Sequence, residues 1–179
     1  SRGLGDVYKR QDVCNKYMAW KNGDVYWKMF EATLLEKLVN AATPEMVSEA
    51  GMQPLLDGKV AEESSEDHRW VKFEQGHHEI VVDLQKKTPV KSVMVRTLNY
   101  NPEGINTPLK VYVYASEDGK NYSLASVKDA PYFPNNKYDA WIDGILFDKL
   151  NENARYLKVA FDAPQKVYMD EFFINPAIK

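Results

Sequence analysis

The three histidines are the first residues whose type and spacing suggest chemistry, because imidazole is the commonest protein ligand of transition metals. His68, His77 and His78 lie close together in the sequence. Zinc ligands on one element usually follow a spacing such as H-x-x-x-H on a helix face. Adjacent histidines on a strand would instead point to opposite faces. We therefore predict surface histidines and no zinc site.

Hydrolytic chemistry has no distinct motif in this sequence. A nucleophile elbow of the form G-x-S-x-G is absent, which argues against an α/β-type serine hydrolase. A glycosidase acts through two opposed carboxylates, and a pair can always be drawn among 26 acidic residues. No acidic residue stands in a setting that predicts a raised pKa. The sequence therefore predicts no catalytic centre.

Composition excludes two classes of partner. The net charge is −3 and no basic stripe is present, so we expect no nucleic acid to bind. No apolar run reaches the 18 residues that a membrane helix needs, so we expect no membrane span. The single cysteine, Cys14, excludes a disulfide within the chain. That is compatible with the cytosol and with export from a bacterium.

Residues 1–11, SRGLGDVYKRQ, differ in composition from the rest of the chain. They contain no apolar run that would indicate a secretory signal. One set of codons for these eleven residues matches the adapter of a transposase-based sequencing library. We therefore interpret residues 1–11 as an adapter translation that is not native, and the chain as a C-terminal fragment of a longer protein.

The elements change in type near residue 53. The stretch DVYWKMFEATLLEKLVNA places Val25, Met29 and Leu38 among apolar residues at three-to-four spacing, which is typical of a helix. A second short helix is predicted from Thr43 as N-cap to Gly51. We interpret residues 12–52 as a helical linker or the tail of an upstream domain.

From residue 53 to residue 179 the apolar period becomes two. The segments that alternate are RWVKF, HEIVVDL, VKSVMVRTL, PLKVYVYAS, NYSLASV, AWIDGILF, RYLKVAF and VYMDEFFI. Asp118-Gly119 predicts a two-residue hairpin turn between the fourth and fifth segments. Eight short strands with turns between them and no helices predict an antiparallel jelly-roll β-sandwich, preceded by the short helical segment.

The order of several motifs resembles one family. LLDGK, the Trp70 segment, IVVDL, VKSVMVRTL, TPLKVYVYASEDGKNY, ARYLKVAF and MDEFF occur in that order. Together they resemble the discoidin family, also called coagulation factor 5/8 type C, which is galactose-binding-like. In this family an arginine at the place of Arg155 often ties a strand end to a loop. Trp70 and the Tyr, Leu, Val and Phe of RYLKVAF are expected in the core.

Members of this family that are attached to bacterial glycosidases are mostly carbohydrate-binding modules. Such modules stack an aromatic ring on a sugar and bond its hydroxyls with planar polar groups, on loops at one end of the sandwich. The resemblance implies ligand-binding residues in two loops and beside the second: Asn99, Tyr100, Asn101, Asn106, Tyr132, Phe133, Asn135 and Trp141. Asparagine is also a common turn residue, and a loop tyrosine often only caps a core.

The resemblance also implies a structural calcium ion, which takes carboxylate and carbonyl oxygens. The matching carboxylates are Asp57 and Glu171. The sequence departs from the family pattern, because Lys59 follows the glycine and the stretch VAEESSEDHR precedes Trp70. That stretch either supplies a further ligand or abolishes the site, and Asp57 could equally form only a turn.

Three functional hypotheses follow. The first is a noncatalytic carbohydrate-binding module at the C-terminus of an exported bacterial glycoside hydrolase, of hexosaminidase type, located in the periplasm or at the cell surface. Its partners would be a galactose or N-acetylhexosamine glycan and the upstream catalytic domain. The second is a structural sandwich that packs on that enzyme and binds nothing else. The third is a C-terminal piece of the catalytic enzyme.

Overall fold

Alternating apolar residues build paired strands throughout the computed structural model of the chain, which describes residues 38–40, 47–48, 51–129 and 140–178. Short 3₁₀ turns lie at Gln53–Leu56 and Asn101–Glu103. The strands in chain order are β1 (Leu38–Asn40), β2 (Val47–Ser48), β3 (Val71–Phe73), β4 (Gly76–Val90), β5 (Val93–Asn99), β6 (Lys110–Ser116), β7 (Ser123–Asp129), β8 (Trp141–Phe147), β9 (Glu152–Ala163), β10 (Val167–Ile174) and β11 (Pro176–Ile178).

Two antiparallel sheets face each other. One has the order β3-β10-β5-β8, and the other has the order β2-β4-β9-β6-β7. Strands β3 to β10 are the eight strands that the alternation predicts, so the predicted antiparallel β-sandwich is confirmed. The two-residue β2 extends the second sheet, and β1 pairs with β11 in a separate small sheet.

The core between the sheets is formed by one face of each strand. On β6 the inward side chains are those of Val111, Val113 and Ala115, and on β9 they include Leu157 and Phe161. All five are buried. Each fully buried large apolar side chain contributes about 1.5–3 kcal/mol. Burial of these side chains therefore determines which face of each strand points into the core.

A second apolar cluster covers the outer side of the four-stranded sheet. Trp70 is buried there beside Ala61, Leu98 and Phe173. Its indole Nε1 donates to the carbonyl of Ser64 at 2.9 Å. Trp70 is therefore a core residue as expected, but it packs outside the space between the two sheets.

The helical prediction is wrong where the structure describes residues 12–52. Residues 38–40 form β1 and residues 47–48 form β2. Val47 and Ser48 pair with Asp83 and Val82 at the edge of β4. A strand partner satisfies the backbone of these residues and outweighs a local helical preference. The remaining residues of the predicted helices lie outside the described residues.

The β6–β7 hairpin is present, but its loop is longer than the predicted two residues. The Asp118 carboxylate accepts hydrogen bonds from the backbone N–H groups of Lys120 and Asn121, both at 2.8 Å. These bonds hold the pKa of Asp118 well below its usual range. Gly119 adopts φ +73°. A carboxylate that collects several N–H groups favours this wide loop over a tight two-residue turn.

Neither of two expectations for the RYLKVAF strand is met in full. Arg155 ties β9 to β4 and not to a loop, because its Nε and Nη2 donate to the two carboxylate oxygens of Asp83, each at 3.0 Å, and Asp83 lies within strand β4. The core position expected for Tyr156 is wrong, since its side chain is half-buried on the outer face of the five-stranded sheet. Tyr156 precedes the inward-facing Leu157, and alternation therefore turns it outward.

Within the described residues, no helix has the length and apolar character to cross a membrane.

Candidate functional site

Several loops meet at one end of the sandwich. We call it the loop end and define it by residues 74–76, 100–109 and 164–166. Strand β5 finishes there at Asn99, which pairs with Trp141 at the start of β8. Strand β4 begins there at Gly76, opposite Ala163 of β9. The fold therefore brings the first predicted ligand loop and Trp141 together at this end.

The predicted asparagines form a hydrogen-bonded network inside the first loop. Asn99 Nδ2 donates to Asn106 Oδ1, and Asn106 Nδ2 donates to Asn101 Oδ1, both at 2.9 Å. The backbone N–H of Thr107 also donates to Asn106 Oδ1, at 2.8 Å. Asn99 and Asn106 are fully buried. These two amides fix the shape of the loop, and Asn101 lies at its half-buried edge.

The predicted aromatic residues of this end are turned partly inward. Tyr100 is half-buried and packs against the apolar cluster that contains Trp70. Trp141 is buried, and its Nε1 donates to Asp143 Oδ2 at 3.0 Å. The other predicted contacts, Tyr132, Phe133 and Asn135, lie outside the described residues.

A cluster that the sequence did not single out is exposed at the loop end. We call it the His77 cluster: His77, Asp162 and Tyr112. His77 Nδ1 lies 2.6 Å from Asp162 Oδ1, and the Tyr112 hydroxyl donates to Asp162 Oδ2 at 3.1 Å. The side chains of His77 and Asp162 remain 49% and 38% exposed. One carboxylate therefore orients two groups that still face solvent.

Mutual hydrogen bonding shifts the titration of this cluster. The hydrogen bond to Asp162 raises the pKa of His77, and the same contact lowers the pKa of Asp162. Burial, followed by the hydrogen bond to Asp162, raises the pKa of Tyr112. An imidazole, a carboxylate and a phenol held in this way provide both donors and acceptors, the planar polar groups that fix a hydroxylated ligand.

The strand register explains why these residues meet. His77 on β4 pairs with Asp162 on β9, which pairs with Lys110 on β6 and, through it, with Asp129 on β7. Basic and acidic side chains therefore alternate across the sheet, from the imidazole of His77 to the carboxylate of Asp129. His77 and His78 point to opposite faces as predicted, since the ring of His78 packs against Phe161, on the inner side. The 85-residue separation of His77 and Asp162 hides the pair in the sequence.

The predicted calcium residues lie close together in the fold, because Glu171 on β10 contacts Gly58, the residue after Asp57. Glu171 is fully buried in an irregular part of β10, and its Oε2 accepts a hydrogen bond from the N–H of Gly58 at 3.1 Å. Asp57 is exposed, and its Oδ1 accepts from the N–H of Lys59 at 2.8 Å. Among the described residues no three His, Cys, Asp or Glu side chains gather around a metal-sized space. Backbone carbonyls, which calcium accepts, would have to complete the site, so calcium binding stays a prediction.

A buried ion pair holds Ala61, which lies in the chain segment that follows Asp57. Arg96 Nε lies 3.0 Å from Asp170 Oδ2, and both side chains are fully buried. Asp170 Oδ2 also accepts from the N–H of Ala61 at 2.6 Å, and Arg96 Nη2 donates to the carbonyl of Ala61. Burial raises the pKa of Asp170 to about 6, against the opposing effect of Arg96. The Asp170 carboxyl group therefore provides the buried Arg96 guanidinium with an acidic partner.

The structure resembles solved structures of carbohydrate-binding modules. One is chitosan-binding module 1 from a chitosanase/glucanase of Paenibacillus sp. IK-5, with 18% identity, a TM-score of 0.48, and coverage of 76% of this chain and 98% of that chain. A second is CBM32-1 from a family 31 glycoside hydrolase of Clostridium perfringens, with 17% identity, a TM-score of 0.45, and coverage of 87% and 98%. A third is the CBM32 of AlyQ in complex with 4,5-unsaturated mannuronic acid, with 14% identity, a TM-score of 0.47, and coverage of 72% and 92%. No protein-family model and no curated protein matches the chain.

Proposed function

We propose that this chain is a noncatalytic carbohydrate-binding module that holds a sugar at the loop end of its sandwich. The His77 cluster carries the proposal, because it presents donors and acceptors that are exposed and already oriented. The buried asparagine network keeps the adjoining loop in one shape. A preformed polar site loses little conformational entropy when it binds a ligand.

Such a module acts by tethering. It belongs, in this proposal, to an exported bacterial glycoside hydrolase, and it raises the local concentration of glycan around the catalytic domain. A dissociation constant between millimolar and high micromolar is sufficient, which corresponds to about −4 to −6 kcal/mol. Galactose and N-acetylhexosamines are the sugars to test first, following the family resemblance.

The test is an NMR titration of the chain with a panel of monosaccharides and short oligosaccharides. We expect loop-end resonances to shift with at least one sugar and His77→Ala to weaken that binding. His68→Ala is the matched control, because His68 is exposed and does not belong to the His77 cluster. Absence of loop-end shifts across the panel, or an equal effect of both variants, would contradict the proposal.

A second candidate function is a structural sandwich that packs on an upstream enzyme. The inward orientation of Tyr100 and the burial of Trp141 favour it, since a sugar-stacking ring has to reach solvent. This candidate predicts that no sugar in the panel shifts any resonance of the loop end.

A further inference from the structure

A band of tyrosines runs along the outer face of the five-stranded sheet. Because Val111, Val113 and Ala115 of β6 face the core, Tyr112 and Tyr114 face outward. Tyr156 of β9 lies on the same face, and Tyr122 reaches it from the hairpin loop. We call these four residues the tyrosine face. All four are half-buried.

The rings form a nearly continuous surface that starts at the loop end. The ring of His77 lies 6.0 Å from that of Tyr112, and the rings of Tyr112 and Tyr114 are 6.2 Å apart and inclined by only 19°. The ammonium of Lys158 follows, 4.8 Å from the ring centre of Tyr114 and 4.6 Å from that of Tyr122. Aromatic rings in a row provide stacking positions for successive units of a chain-like ligand.

Lys158 differs from three other basic residues of this sheet. Arg155, Lys110 and Lys87 each have a carboxylate oxygen within 2.5–3.2 Å. Among the described residues the ammonium of Lys158 has no hydrogen-bond acceptor, and Glu79 Oε2 lies 3.9 Å away.

The side chain of Lys158 is 19% exposed, so its charge is partly removed from water. A half-buried ammonium gains when a carboxylate bonds to it. The two flanking rings hold Lys158 in place through cation–π contacts and leave its donors for a ligand.

We propose that the tyrosine face binds an extended acidic glycan, whose carboxylate bonds to Lys158 while neighbouring sugar rings stack on Tyr114 and Tyr122. The inference rests on the proposed function, because it names the substrate class of that module and continues its site from the His77 cluster along the sheet. The ligand is a chain of several uronic acid units, since the face extends across strands β6 and β9 and the hairpin loop.

The test compares an oligouronate of four to six units with its methyl ester, which removes the charge and keeps the chain. Binding is measured by calorimetry to the wild type, Lys158→Gln and Lys87→Gln. Lys87 is the control because it lies on the same sheet in an exposed pair with Glu117. We expect Lys158→Gln to weaken the acid form roughly tenfold or more, as loss of a charge-assisted bond predicts. We expect Lys87→Gln to leave it unchanged.

Two further measurements distinguish a failure of this inference from a failure of the proposed function. Tyr114→Ala should weaken the acid and the ester alike, and its thermal unfolding shows whether it is folded. Equal affinity of wild type and Lys158→Gln for the acid, or of the wild type for acid and ester, would overturn the inference. In that case monosaccharide shifts at the loop end would still support the proposed function. Self-association that Tyr114→Ala abolishes, without any glycan binding, would overturn the inference in favour of a protein partner.

Discussion

Asn106 determines whether the loop next to the His77 cluster keeps its shape. Replacement by alanine removes three hydrogen bonds of 2.8–2.9 Å. The buried side-chain amide of Asn99 and the buried backbone N–H of Thr107 would then lose Asn106 Oδ1 as their acceptor. At about 0.5–1.5 kcal/mol for each bond, with a further penalty for partners that remain buried, we expect Asn106→Ala to lower the free energy of unfolding by about 2–4 kcal/mol. For a domain of this size that corresponds to roughly 5–15 °C in Tm.

Urea unfolding followed by tryptophan fluorescence measures this change. Asn153→Ala is the matched control, because Asn153 is exposed at the start of β9 and has no side-chain hydrogen bond to a described residue. The variant should also bind glycan more weakly, since a loosened loop has to be ordered on binding. Coincident unfolding midpoints for the two variants would refute the reasoning that the buried network orders the loop.

Three other predictions use different contacts. An NMR titration should show that Asp162→Asn lowers the pKa of His77 toward 6.5. Because folding raises this pKa, the pairing of His77 with Asp162 stabilises the fold below pH 6.5. That contribution disappears as the pH rises through the pKa that His77 has in the folded state. Gly119→Ala should cost more stability in chemical denaturation than Gly58→Ala: both positions have φ +73°, worth about 1–2 kcal/mol, but only at Gly119 would the new Cβ lie 3.2 Å from a tyrosine ring. Calcium should raise the Tm of the wild type and not of Glu171→Gln, with EGTA reversing the shift; equal shifts would exclude Glu171 as a ligand.

The strands were predictable because one face of each is buried. Along β6, and along β9 from Leu157 onward, every second residue enters the core, as the period-two pattern predicts. The helical prediction failed at residues 38–40 and 47–48 because their structure depends on partners far along the chain. Val47 pairs with Asp83, and Leu38 pairs with Ile178. A local window contains no information about such partners.

The candidate site was only partly predictable for a related reason. Asn99, Asn101 and Asn106 are close in sequence, and the structure brings them together between the end of β5 and the start of β6. Their burial follows from the hydrogen bonds among them, which composition does not reveal. The pairing of His77 with Asp162 depends on the register between β4 and β9, and the alternation of each strand alone does not fix that register.

The pairing of Leu38 with Ile178 has a geometric consequence. The two flanks of the sandwich lie side by side, and Asn175 joins this small sheet to residues 91–92, at the pole opposite the loop end. Seven residues of strand separate the poles, a span of roughly 20 Å. Any neighbouring domain that is attached at either flank would therefore begin at the pole opposite the loop end and the His77 cluster.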